Sequence, residues 1–111
     1  MSEDKIAASF AEKHKEKIFV ITHPLCPACQ AVEEALKDEI KSGKIEKIEI
    51  TSDEDARTFM KVMKRELGID TVPSFFAVDD DKDALKVCYI DITRKESEMK
   101  CVKIKRPESE G

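Results

Sequence analysis

Apolar residues recur along the chain first with a helical period, then in a short unbroken run, and the alternation repeats before ending in strands. Residues 2–17 put Ile6, Ala7, Phe10 and Ala11 on one face of a helix with Ser2 as N-cap. Residues 18–21 are continuously apolar, the pattern of a central strand covered on both faces. The next helix is predicted over 26–42, with Ala28, Val32, Leu36 and Ile40 spaced by four and Gly43 as its stop. Residues 45–51 alternate at Ile48 and Ile50, as a half-exposed strand does. A third helix follows from Ser52 as N-cap, with Asp53, Glu54 and Asp55 in its first turn. Ala56, Phe59, Met60, Met63 and Leu67 continue it at helical spacing, and Gly68 closes it. Strands are predicted over 74–78 and 85–92, separated by an acidic turn at 79–83. Residues 99–105 alternate at Val102 and Ile104 and read as strand rather than helix. The order is α-β-α-β-α-β-β with a final element left undecided, which describes a mixed sheet with helices on both faces.

Composition narrows the function classes. The chain has 111 residues, the size of one domain, read as 1–105 with a frayed tail at 106–111. A domain of this length buries a core without needing metals or disulfides to fold. Charged residues make up 40%, but 24 acids against 20 bases leave a net charge of only −4, which excludes a generic polyanion binder. No apolar run approaches the roughly 20 residues of a membrane helix. The first 17 residues lack the apolar core of a signal segment. The expectation is a monomeric cytoplasmic protein that binds neither membrane nor nucleic acid. There is no Asn and one Gln, with heavy use of Lys and Glu, a leaning towards a thermophilic source. That leaning bears on the four cysteines, because cytosolic disulfides are rare outside hyperthermophiles.

Chemistry concentrates at Cys26-Pro27-Ala28-Cys29, where the first strand gives way to a helix. A nucleophilic sulfur must be a thiolate, and a helix N-terminus aims unpaired N–H groups and a positive dipole end at it. Pro27 suits the first helical position, where its missing N–H costs nothing. Cys29 follows one turn later, within reach of Cys26. The redox reading is a two-step exchange: Cys26 attacks a disulfide, then Cys29 attacks the mixed disulfide and releases the reduced product. Cys29 is expected to be the more buried. The alternative is a redox-inert or metal-holding binding module. A four-ligand zinc site would have to recruit Cys88 and Cys101 or the two histidines. Placement inside a βαβ pattern favours redox.

With these residues in view the chain resembles the thioredoxin superfamily, on its small glutaredoxin-like side. The resemblance rests on Cys26-Pro27-Ala28-Cys29 after a strand and on Thr71-Val72-Pro73-Ser74-Phe75 opening the third, and spans residues 18–92. It implies a thioredoxin-like α/β fold with a central mixed four-stranded sheet flanked by helices, the N-terminal helix being an addition. It also implies a cis Pro73 against the reactive pair and a Val72 backbone that pairs with an extended substrate. The activity implied is dithiol–disulfide oxidoreduction on disulfide-containing proteins or small mixed disulfides, with an unknown redox partner or reductase and no cofactor.

The departures are specific. Thioredoxins carry Trp-Cys-Gly-Pro-Cys and a buried Asp six residues before the first cysteine; here Leu25 precedes Cys26 and Val20 stands upstream. Glutaredoxins carry a Gly-Gly pair after the fourth strand that cradles glutathione; here Tyr89-Ile90-Asp91-Ile92 stands instead, which leaves glutathione use open. The family's last helix has little support over 94–106.

Other residues carry competing readings. Cys88 and Cys101 fall directly opposite each other if a turn is centred between Arg94 and Lys95. They read first as buried thiols packed as small hydrophobes, otherwise as a bridge or a second redox pair. His23 either favours the thiolate or lies at the surface, and His14 is expected in solvent. Leu25, Pro24 and Pro73 would ring the thiol with apolar surface as a docking patch, or simply pack the loop. Phe59, Met60 and Met63 are core. Lys100, Lys103, Lys105 and Arg106 lack interleaved aromatics and read as a solvated face. The acidic run at 79–83 lacks the Gly and terminal Glu of a calcium loop.

Overall fold

The computed structural model describes residues 2–90 and 99–105. The elements run α1 (Glu3–Lys13), β1 (Ile18–Thr22), α2 (Pro27–Ala35), α3 (Lys37–Lys41), β2 (Ile45–Glu49), α4 (Glu54–Leu67), β3 (Ser74–Asp81), β4 (Ala84–Ile90) and β5 (Lys100–Lys105). The sheet order is β2-β1-β3-β4-β5, with β1 and β2 parallel and the other pairs antiparallel. The undecided final element is therefore a fifth strand beside the central four. The predicted strand end at 91–92, the turn between Arg94 and Lys95 and the tail at 106–111 lie outside the described residues.

Period decides which residues are covered. Phe19 and Ile21 of β1, Phe76 and Val78 of β3, Leu85 and Val87 of β4 and Ile104 of β5 point to one face, where α1 and α4 cover them. Four rings meet at the centre. Phe59 lies 4.9 Å from Phe10, 5.7 Å from Phe19 and 5.1 Å from Phe76, centroid to centroid, the spacing of favourable tilted and edge-to-face pairs. α2 lies on the opposite face. Lys47, whose neighbours Glu46 and Ile48 turn towards the α1 side, reaches Glu33 of α2 at 3.4 Å.

Helix ends follow local chemistry, with corrections to the sequence reading. Ser2 caps α1 through the Lys5 N–H, but the helix stops at Lys13, not at residue 17, because the chain turns through Glu16 at φ 68° into β1. This early stop puts His14 at the C-cap. The ring is largely covered, not solvated: its Nδ1 meets Glu46 Oε1 of β2, and it packs 4.5 Å from Phe10. Asp53, not Ser52, caps α4 through the Ala56 N–H at 3.0 Å, and Gly68 ends it at φ 72° with its N–H on the Lys64 carbonyl.

The helix predicted over 26–42 is two helices, interrupted at Leu36 (φ −111°, ψ 20°). Ala28 is exposed and Cys29 buried, so the inward stripe runs Cys29, Val32, Leu36, Ile40. A 3-4-4 spacing holds a helical face as well as 4-4-4 does. The acidic segment is not a five-residue turn. β3 continues to Asp81, Lys82 and Asp83 alone make the turn, and Asp79 sits opposite Lys86. Lysines answer the acids: Lys15 is 3.6 Å from Asp80 and Lys103 is 2.8 Å from Asp81.

Candidate active site

The strand β1, parallel to β2, ends at Thr22, and four residues carry the chain to α2. Cys26 is the N-cap, with extended backbone (φ −102°, ψ 110°) and Pro27 in the first turn. Its sulfur accepts the Cys29 N–H at 3.1 Å, one of the donors that a helix start leaves unpaired. The loop is tied to itself. The Cys26 N–H donates to the His23 carbonyl at 3.2 Å, and the Leu25 N–H donates to His23 Nδ1 at 3.1 Å. His23 therefore acts as a loop brace, a role outside both readings drawn from sequence.

The two thiols are free and unequal. Cys26 is half-buried, whereas Cys29 is fully buried. Burial, and then the hydrogen bond with Cys26, push the Cys29 thiol up to about 11, while the His23 backbone pulls the other way. Opposite them, Cys26 Sγ lies 3.8 Å from the Val72 carbonyl oxygen, and the Val72–Pro73 peptide is cis. Ser74 Oγ donates to the Thr71 carbonyl and fastens this turn at the start of β3. Val72 and Pro73 are half-buried. Leu25, 84% exposed, and Pro24, also exposed, directly precede Cys26 in the loop.

Of the residues singled out by sequence, Cys26, Cys29 and Val72 with its neighbour Pro73 are brought together, and Pro24 and Leu25 flank them. Cys88 and Cys101 are not part of this group. They face each other on β4 and β5 and are bonded as a disulfide, and Cys101 is exposed, which corrects the expectation of two buried thiols. A zinc site at Cys26 and Cys29 cannot recruit them in this state. Sequence reasoning missed Thr22, fully buried at the end of β1, whose hydroxyl has no partner among the described groups. Nothing in its sequence context marks it.

No described helix is long and apolar enough to cross a membrane. Neither a curated protein nor a solved structure matches the chain. A family model described as glutaredoxin matches residues 18–82, from the first residue of β1 to the turn that follows β3. That span is more than half of the chain and contains both the Cys26–Cys29 helix start and the Val72–Pro73 turn: the chain belongs to the glutaredoxin family.

Proposed function

We propose that the chain is a dithiol–disulfide oxidoreductase in which Cys26 is the nucleophile and Cys29 resolves. Family membership supports thiol oxidoreductase chemistry in general. The observation that carries the finer reading is the Cys26 sulfur at the start of α2, holding the Cys29 N–H at 3.1 Å above a buried second thiol. The N–H and the helix dipole stabilise negative charge on Cys26, the more accessible sulfur.

The Cys26 thiolate attacks one sulfur of a substrate disulfide, and the other sulfur leaves as a thiolate that takes up a proton. Cys29 then gives up its proton and attacks Cys26. The product leaves as a second thiol, and the chain is left with a Cys26–Cys29 disulfide. A buried Cys29 held well above its ordinary range stays protonated until the mixed disulfide forms, so it does not compete for substrate. Val72 offers backbone groups to an extended peptide, in the manner of strand addition. Pro73 has no N–H to place beside the thiolate, and Leu25 and Pro24 add apolar surface for the substrate. Disulfide-containing proteins and mixed disulfides are the substrate class, with the reducing direction expected in a cytoplasmic setting.

The test is a pair of variants assayed against a protein disulfide. Cys26→Ser should abolish exchange, and Cys29→Ser should accumulate a mixed disulfide with substrate on Cys26. Equal and mild losses in both variants would overturn the roles.

A further inference from the structure

The disulfide between Cys88 and Cys101 stands apart from this site. Cys88 pairs in register with Ala77, and Ala77 pairs with Ile18, the first residue of β1. Cys26 lies beyond the other end of β1. The four steps from Ile18 to Thr22 span roughly 13 Å, and two strand spacings add about 10 Å across the sheet. The two pairs of sulfurs cannot exchange within one molecule in this fold.

Its two sulfurs are unlike. Cys88 is 4% exposed, whereas Cys101 sits open to solvent on β5, the last strand in the sheet order. Residues two apart share a face, so Lys86 and Lys103 neighbour the bridge on its own side and stand directly opposite each other. Their charges favour the anionic sulfur that forms during exchange, offset in part by Asp81, 2.8 Å from Lys103. On the other face of the same strand, Val102 and Ile104 close a cavity of about 330 Å³ whose lining includes Lys5, Val62 and Arg65.

We infer that Cys88–Cys101 is a second thiol–disulfide couple, opened by a dithiol that attacks at Cys101, and that its oxidation state fastens β5 to the sheet. This does not rest on the roles given to Cys26 and Cys29. One thiolate of the dithiol bonds to the Cys101 sulfur as the disulfide breaks, and the electron pair leaves on Cys88, which takes up a proton. The second thiol of the reductant then displaces Cys101, closing the reductant's own disulfide. Two electrons and two protons pass to the protein.

The experiment is a dithiothreitol redox titration of the full chain, quenched with an alkylating agent and read by peptide mass, with circular dichroism at each step. Cys88 and Cys101 should each gain one alkyl group in a reversible two-electron transition while the protein stays folded. The same transition should persist in the variant carrying Cys26→Ser and Cys29→Ser. Hydrogen exchange should show loss of amide protection at 100–105 on reduction. Under 2-mercaptoethanol the adduct should appear on Cys101. A bridge that stays closed until the protein unfolds overturns the proposal, as do disappearance in the double variant, unchanged protection of β5, or an adduct on Cys88. Failure of the Cys26–Cys29 transition alone would strike the proposed function and leave this couple standing.

Discussion

The inequality of the two thiols can be tested on Cys29 by itself. The perturbation is Cys26→Ser, which leaves a single thiol at the site. In the intact pair burial and the bond to Cys26 push the Cys29 thiol up to about 11 against an ordinary value of 9.0. At about 1.4 kcal/mol for each tenfold, the protonated form is favoured by roughly 3 kcal/mol, and below pH 9 the thiolate is about a hundredfold scarcer than for an open cysteine. Burial is the largest cause and survives the substitution, whereas the bond to Cys26 and its charge do not. The midpoint in the variant should therefore fall below 11 and stay above 9. The assay is the rate of Cys29 alkylation against pH, with the denatured variant as the open reference. Stability should move with it. A raised pKa means that the folded state holds the proton longer, so in the intact pair this contribution is complete below pH 9 and is lost as pH rises through 11, and in the variant it is lost at a lower pH. A folded variant whose Cys29 alkylates at the reference rate at pH 8 would refute the argument that burial governs this thiol.

Phe59→Ala removes the ring in contact with Phe10, Phe19 and Phe76 and should cost about 3–5 kcal/mol in denaturant unfolding; a loss under about 1 kcal/mol would mean that the quartet does not hold the α1–α4 face. Cys101→Ser opens a bridge across a sequence separation of 13, and the chain-entropy account puts the loss near 3 kcal/mol, measured under non-reducing conditions. Equal stability of variant and parent would show that the ladder alone secures β5. Leu25→Ser changes a side chain 84% exposed, so folding stability should hold within about 0.5 kcal/mol. Exchange with protein disulfides should fall about tenfold, from roughly 1.5 kcal/mol of apolar burial on docking. Exchange with a small disulfide that does not cover position 25 should fall far less, and equal losses would remove Leu25 from the docking surface.

Local signals carried well from sequence to structure. The apolar run at Ile18–Ile21, the spacing of Ala56, Phe59, Met60 and Met63, and Gly68 as a stop all describe elements that exist. The position of Cys26 at a strand–helix junction was legible for the same reason, since every residue that makes the junction lies within a few positions. Val72 was not legible in this way. It meets Cys26 across 46 residues of chain, and only the family resemblance pointed there. The misread elements share a cause. His14 went inward because α1 ended early, and the three aspartates of β3 stayed in a strand because lysines from other segments answer them. Both depend on partners far along the chain. Counting placed Cys88 opposite Cys101, but no count decides whether facing sulfurs are joined.

The strand order leaves β2 and β5 on the outside of the sheet, where backbone groups turned away from the neighbouring strand invite pairing with another chain. Both strands are short and interrupted by charge: Glu46, Lys47 and Glu49 on one, Lys100, Lys103 and Lys105 on the other. A second molecule laying its own β5 alongside would bring rows of lysine together at the roughly 4.8 Å spacing of a sheet, where like charges repel. The lysines of this solvated face thus have a colloidal consequence: their like charges oppose edge-to-edge pairing of neighbouring copies. Replacing them with threonine removes that repulsion and should raise concentration-dependent association, read by light scattering.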